Sequence, residues 1–260
     1  MVAVVQWSQC SSGGPRTGAV GRGRGTLADV SSNDEVAIFF SNWQTYRGVI
    51  ETNSMEHIEV FAAVHSILAR RTAPYTLFDL GCGDAAAIGP AMLGTPVQRY
   101  VGVDCAAGAL DFARETFADR AVPEVSLIVD DLLQAVETTP EHFDIILASF
   151  ALHHFSDADK QRFLTVARDK LAPGGELILI DVVRLDGQTR EEYLDRYRAF
   201  SSGWPLPQET RDKIMAHVSG YDYPAEISAE ETWARDTGYT VEQFYRGARD
   251  TQVGWLLTPR

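Results

Sequence analysis

Apolar and polar positions follow two different periods along this chain. Between about residues 75 and 183, short apolar runs alternate with segments whose apolar residues recur every three or four positions. Leu77-Phe78-Asp79-Leu80, Tyr100-Val101-Gly102-Val103, Phe143 to Ala148 and Leu177 to Ile180 read as buried strands. Helices are predicted over about 85–93, 106–118 and 157–171, the last capped by Ser156 with Asp159. Strands alternating with helices call for a mainly parallel sheet with right-handed crossovers. Upstream, Val36, Phe39, Phe40, Trp43 and Tyr46 recur at helical spacing behind a Ser32/Glu35 capping box. A second helix is expected after Asn53 and Ser54, with Ile58, Phe61, Val64, Ile67 and Leu68 on one face. Tyr46 and His57 are the polar exceptions on these two helices.

After Asp181 the alternation stops. Arg190 to Phe200, 208–219 and 228–237 read as three further helices. Trp204-Pro205-Leu206-Pro207 breaks the first, and Ser228 is the expected cap of the third. Gly238 to Tyr245 and Val253 to Leu257 then read as an antiparallel hairpin. The expected division is a disordered tail at 1–31, cap helices at 32–73, a ligand-binding core at 74–183, a helical lid at 184–237 and the hairpin at 238–258. The tail reading rests on Ser11 to Pro15 and the Gly-Arg run at 21–25.

Composition narrows the function. In 260 residues, 45% hydrophobic, there is ample core but no apolar run long enough to span a bilayer, so no membrane partner is expected. A formal net charge of −13 argues against a nucleic-acid partner, because such surfaces repel phosphate backbones. Three widely spaced cysteines, Cys10, Cys82 and Cys105, argue for a reducing, cytoplasmic setting and against a zinc site or a disulfide frame.

The chemistry concentrates where strands end. Asp79-Leu80-Gly81-Cys82-Gly83 is an acid followed by a glycine turn, which lets a ligand approach backbone. Asp104 closes the next strand about 20 residues on, the spacing of a carboxylate that grips ribose hydroxyls. Asp130-Asp131-Leu132, Phe143 to Ser149 and Leu171 to Gly175, whose Pro173-Gly174-Gly175 is expected as the turn before the fifth strand, come next in order. These segments resemble the ordered motifs of class I S-adenosylmethionine-dependent methyltransferases. The resemblance implies a Rossmann-like α/β fold: a seven-stranded, mainly parallel sheet with an antiparallel C-terminal hairpin, N-terminal cap helices and a helical lid between strands 5 and 6. It implies S-adenosyl-L-methionine as cofactor. It also assigns a cofactor turn to Asp79, Gly81, Cys82 and Gly83, ribose binding to Asp104 beside Cys105, and adenine contacts to Asp130, Asp131 and Leu132. Ser149 and Phe150 come after the fourth strand on the cofactor side.

Ser149-Phe150-Ala151-Leu152-His153-His154-Phe155 lies where the transferable methyl belongs. His153 and His154 are the candidate catalytic residues, as general base or orienting donor. The pair is not read as a metal motif, because adjacent side chains point apart unless the loop bends. Tyr46, His153, Trp204, His217 and Tyr221 are the candidates for binding a small-molecule acceptor. The implied reaction is methyl transfer to a nucleophilic O, N, S or C atom of a small metabolite by a monomer or homodimer. Two alternatives are a non-catalytic cofactor-binding module and an NAD-dependent oxidoreductase. The latter is suggested by Gly81-x-Gly83-x-x-Ala86 but opposed by Asp79, whose charge is unfavourable beside a pyrophosphate.

Overall fold

The structure is a computed structural model, and it describes residues 45–118 and 122–260. The expected capping box at Ser32 and most of the first cap helix lie outside these residues. A helical segment over 45–51 precedes α1 (His57–Leu68). The core then runs β1 (Tyr75–Leu80), α2 (Ile88–Ala91), β2 (Val97–Asp104), α3 (Ala107–Ala118), β3 (Glu124–Val129), α4 (Leu132–Thr138) and β4 (Phe143–Ser149). A 3₁₀ turn, Leu152–His154, leads into α5 (Asp157–Asp169) and β5 (Leu171–Val182). Three lid helices come next, α6 (Arg190–Ser201), α7 (Gln208–Tyr221) and α8 (Ile227–Asp236), and then the hairpin of β6 (Tyr239–Arg246) and β7 (Gln252–Pro259).

The strands form one seven-stranded sheet in the order β3-β2-β1-β4-β5-β7-β6. The first five are parallel; β7 pairs antiparallel with both β5 and β6. Strands in the middle of such a sheet are covered on both faces, which explains their near-continuous apolar runs. Phe78, Leu80, Ile146, Ala148 and Leu179 face one core layer with residues of α4, α5 and α8. Leu77, Ile145, Leu147, Ile178 and Ile180 face the opposite layer, toward α1, α2 and α3. A third apolar cluster sews the lid to the front of the molecule: Tyr193, Tyr197, Trp204, Ile214 and Val218 pack on Val49, Met55 and Val182. Among the described residues, no helix is long and apolar enough to cross a membrane.

Four local expectations are corrected. Ile58 is exposed, and Val60 takes its place on the buried face of α1. The helix expected over 85–93 shrinks to four residues, because Ala85 takes a positive φ and Gly89-Pro90 disfavour a longer helix. Ser228 lies inside α8, whose N-cap is Glu226 with no side-chain bond. The Ser228 N–H is instead accepted by the Asp186 carboxylate from the preceding loop, at 2.9 Å. Finally, Pro173-Gly174-Gly175 does not precede β5 but lies within it, where the register against β4 is irregular and Gly174 has φ +77°.

Candidate active site

The carboxyl edge of the sheet collects Asp79, Asp104, Ser149 and Asp181. Asp79 is buried, and its Oδ2 accepts the Tyr100 hydroxyl at 2.7 Å. Its Oδ1 is buried without a hydrogen-bond partner. Burial pushes this carboxyl up to about 7; the Tyr100 hydroxyl opposes the shift and Asp104 adds to it. The turn behind it needs glycine. Gly81 and Gly83 have φ of +81° and +54°, and a Cβ at Gly81 would stand 2.9 Å from the Ala151 Cβ. The Gly81 and Cys82 N–H groups bind the Val103 carbonyl, which clamps the turn onto β2.

Asp104 reads the same turn from behind. Its Oδ2 accepts the Gly83 N–H at 2.9 Å and its Oδ1 accepts the Ala106 N–H at 2.8 Å. Burial raises its pKa, while these two bonds oppose the shift. A carboxylate has further lone pairs, so this bracing leaves acceptor capacity for hydroxyls. Cys105, next along, is half-buried. Cys82 is a buried free thiol, and burial pushes its pKa well up.

A cleft opens in front of the glycine turn. Asp79, Gly81, Cys82, Gly83 and Asp84 form one side; Ser149 and Phe150 form another, and Tyr46 and His57 stand over it. His57 is buried, and neither ring nitrogen has a hydrogen-bond partner; burial lowers its pKa to about 4, so it is neutral at physiological pH. Its ring lies 4.8 Å from that of Phe150, which itself holds φ +51°.

The second acidic stretch is more structural than expected. Asp131 is the N-cap of α4, its Oδ1 accepting the Leu133 and Gln134 N–H groups. Asp130 in turn accepts the Asp131 N–H. Leu132 approaches the glycine turn, its Cδ2 being 3.7 Å from where a Gly81 Cβ would lie.

The two histidines stand apart from the cleft lining. The 3₁₀ turn bends the loop, and their rings approach to 4.0 Å instead of diverging. His153 is buried, with Nδ1 2.5 Å from Asp181 Oδ1. Burial alone would lower its pKa, but Asp181 and Asp222 override it and the net direction is up. His154 is driven well down by burial and by His153 and His217. The lid carries His217 stacked on Tyr221, at 5.6 Å between centroids, and brings His217 within 5.3 Å of the His154 ring. Trp204 is instead buried in the lid's own aromatic cluster. Of the five expected acceptor-binding residues, Tyr46 therefore reaches the cleft, Trp204 packs, and His153, His217 and Tyr221 form a separate group. Asp181 and Asp222, which organise that group, were missed. Asp181 shares a signal with Asp79 and Asp104, an acid at a strand's carboxyl end; Asp222 carries no local signal.

Comparison with known proteins bears on this geometry. A family model described as a methyltransferase domain matches residues 77–175, the span from the glycine turn to β5. Residues 77–175 are thus a methyltransferase domain, of the class I S-adenosylmethionine-dependent type. The uncharacterized methyltransferase GK2543 of Geobacillus kaustophilus is 28% identical over 165 residues, covering 62% of this chain and 73% of that protein. The lovastatin diketide synthase lovF of Aspergillus terreus is 32% identical over 142 residues, 49% of this chain but only 5% of the synthase. The apo crystal structure of the S-adenosylmethionine-dependent methyltransferase SibL superposes with a TM-score of 0.58 over 90% of this chain and 61% of that one, at 22% identity. That likeness concerns the fold alone. S-adenosylmethionine is the cofactor of the family and of this chain.

Proposed function

We propose that this protein transfers the methyl group of S-adenosylmethionine to a nucleophilic O, N, S or C atom of a small metabolite. The observation that carries the reading is the buried, unpartnered Oδ1 of Asp79 in the cleft behind two positive-φ glycines. A cationic ammonium group suits such an oxygen, and bonds to charged groups are the strong ones. Asp104, already bracing Gly83, is the ribose acceptor; Leu132 and Asp131 lie where the base belongs. The short α2 supports this reading against a dinucleotide, since a four-residue helix offers little dipole to a pyrophosphate.

When bound, S-adenosylmethionine supplies a methyl carbon activated by a sulfonium. The protein's share is positioning and exclusion of water. Tyr46, His57 and Phe150 cover the cleft and orient the acceptor. His153 is a positioning residue in this reading rather than the base, because Nδ1 is held by Asp181 and Nε2 faces Asp222, 3.9 Å away. The lid, joined to the core through apolar packing of Tyr193, Tyr197 and Trp204, favours an acceptor small enough to be enclosed.

Parallel calorimetric titrations with S-adenosylmethionine, S-adenosylhomocysteine and NAD test the reading. Micromolar binding of the first two with NAD silent is expected, followed by label transfer from methyl-labelled donor into a metabolite extract. Binding of NAD alone overturns the reading. Cofactor binding without transfer to any extract makes the chain a non-catalytic module.

A further inference from the structure

The group formed by His153, His154, His217 and Asp222 lies outside the lining of the cofactor cleft, and only His153 enters the methyl-transfer reading, as a positioning residue. Asp222 ends α7, where the backbone turns extended and its side chain swings back toward the core. The Tyr223 N–H binds the His153 carbonyl at 2.6 Å, so the lid backbone and the 3₁₀ turn hold this arrangement from both sides. Asp222 is buried, and its Oδ1 has no hydrogen bond. Around that oxygen stand His217 Nε2 at 3.5 Å, His154 Nδ1 at 3.6 Å and His153 Nε2 at 3.9 Å. These separations are longer than ordinary hydrogen bonds. The two from His154 and His153 approach the separation of ligands held about 2.0–2.1 Å from a common centre, roughly 3.3–3.4 Å, whereas His217 approaches Asp222 without joining the other two donors. The His153, His154 and Asp222 donor atoms also lie within 4.8 Å of one another.

The surroundings complete the pattern. Asp181 takes the Nδ1 side of His153 at 2.5 Å, which leaves Nε2 as the lone pair facing Asp222. A carboxylate on the far nitrogen is the usual support of a metal-bound imidazole. Two carboxylates, Asp181 and Asp222, balance a divalent charge. The neighbouring cation, Lys160, is turned away onto the Tyr223 carbonyl at 2.5 Å and toward Asp157 at 3.6 Å. One contact must yield: His154 Nδ1 lies 3.4 Å from the Tyr221 carbonyl.

We propose that His153, His154 and Asp222 form a three-ligand site for a divalent transition metal of the zinc class, with water as the fourth ligand, which staples the end of lid helix α7 to the turn after β4. Two imidazoles and one carboxylate suit zinc or cobalt rather than magnesium or calcium, which prefer oxygen. The expectation that adjacent histidines diverge fails here because the 3₁₀ turn bends them together and the lid supplies the third donor, Asp222.

The inference does not depend on methyl transfer, and its test reads metal alone. Chelator-stripped full-length protein is titrated with Zn²⁺ against a chromophoric chelator, and separately with Co²⁺ while visible absorption is monitored. One zinc per chain, a tetrahedral Co²⁺ spectrum and a zinc-dependent rise in the unfolding temperature are expected. His154→Gln removes one of the three donors, weakens zinc by about 100-fold or more and abolishes the spectrum. Asp181→Asn weakens it by about 10–100-fold through His153. Absence of stoichiometric zinc binding overturns the site and leaves a cluster held by protons alone. Zinc binding of equal strength in His154→Gln overturns it too, by placing the metal elsewhere. S-adenosylmethionine affinity, measured on the same variants, reports folding independently.

Discussion

The cofactor turn and the lid cluster both place buried carboxylates at the carboxyl edge of one sheet, yet they are built in opposite ways. At the turn, Asp79 and Asp104 are 25 positions apart on adjacent strands, and their partners, Tyr100, the Gly83 N–H and the Ala106 N–H, all fall within the one β1-turn-β2 stretch of residues 79–106. At the lid, Asp222 meets histidines 68 and 69 residues earlier in the chain, and Asp181 meets one 28 residues away. The first arrangement is written in a short stretch whose residues dictate their own geometry. The second exists only once α7 has docked. A pattern of residue types finds the former and passes over the latter.

That contrast gives an order of expected effects. The largest is on the turn: Asp104→Ala removes two backbone braces and the ribose acceptor. At about 1.5–3 kcal/mol for each charged bond lost, S-adenosylmethionine affinity falls by about 100-fold or more in calorimetry, with zinc binding intact. If both functions fell together, the two regions would be one unit.

Asp79→Asn comes next, read through pH. A carboxyl whose folded pKa is raised to about 7 binds its proton in the folded state while the unfolded chain has lost it. Its contribution to stability is therefore lost as pH rises from the ordinary carboxylate range to about 7, and is level above that. Glu230, likewise pushed up to about 7 by burial with Lys160 opposing, adds to the same slope. Thermal unfolding of Asp79→Asn should show a shallower fall over that window. Cofactor affinity should rise through about pH 7 in the parent, as the carboxylate ionises, and lose that rise in the variant. A parallel pH profile in both proteins would remove Asp79 from the ammonium site.

The smallest effect concerns the lid's own construction. Asp186→Ala should cost about 1 kcal/mol in urea unfolding, as expected for a lost helix-start acceptor, and Ser228→Ala less than about 0.5 kcal/mol. The reverse ranking would restore Ser228 as the cap.

Much of the architecture was legible in advance because buried parallel strands must be apolar throughout and the turns between them need glycine. The alternation of strands and helices, the three lid helices and the hairpin all come from that patterning. Ile58 was misplaced because α1 buries His57 and Val60 in its stead, a choice made by tertiary packing rather than by apolar spacing. The helix after the glycine turn was overread because alanine content outweighed Gly89-Pro90. Ser228 was overread because a serine before an apolar run looks like a cap whether or not a distant acid has taken the work. Trp204 carried the right chemistry for a pocket wall, but aromatic groups in a lid also need each other, and Tyr197 and Phe200 claim it.

The placement of β7 between β5 and β6 bears on how the molecule is made. Chains fold as they leave the ribosome, earlier segments first. The parallel half of the sheet can assemble by residue 182, but the outer edge of β5 then waits through about 70 residues of lid and β6 for its partner at Gln252–Pro259. Throughout that interval Leu177 to Val182 present unpaired backbone, a template for unwanted pairing between nascent chains. Trp255 and Leu257, buried on arrival, close that exposure in a single late step.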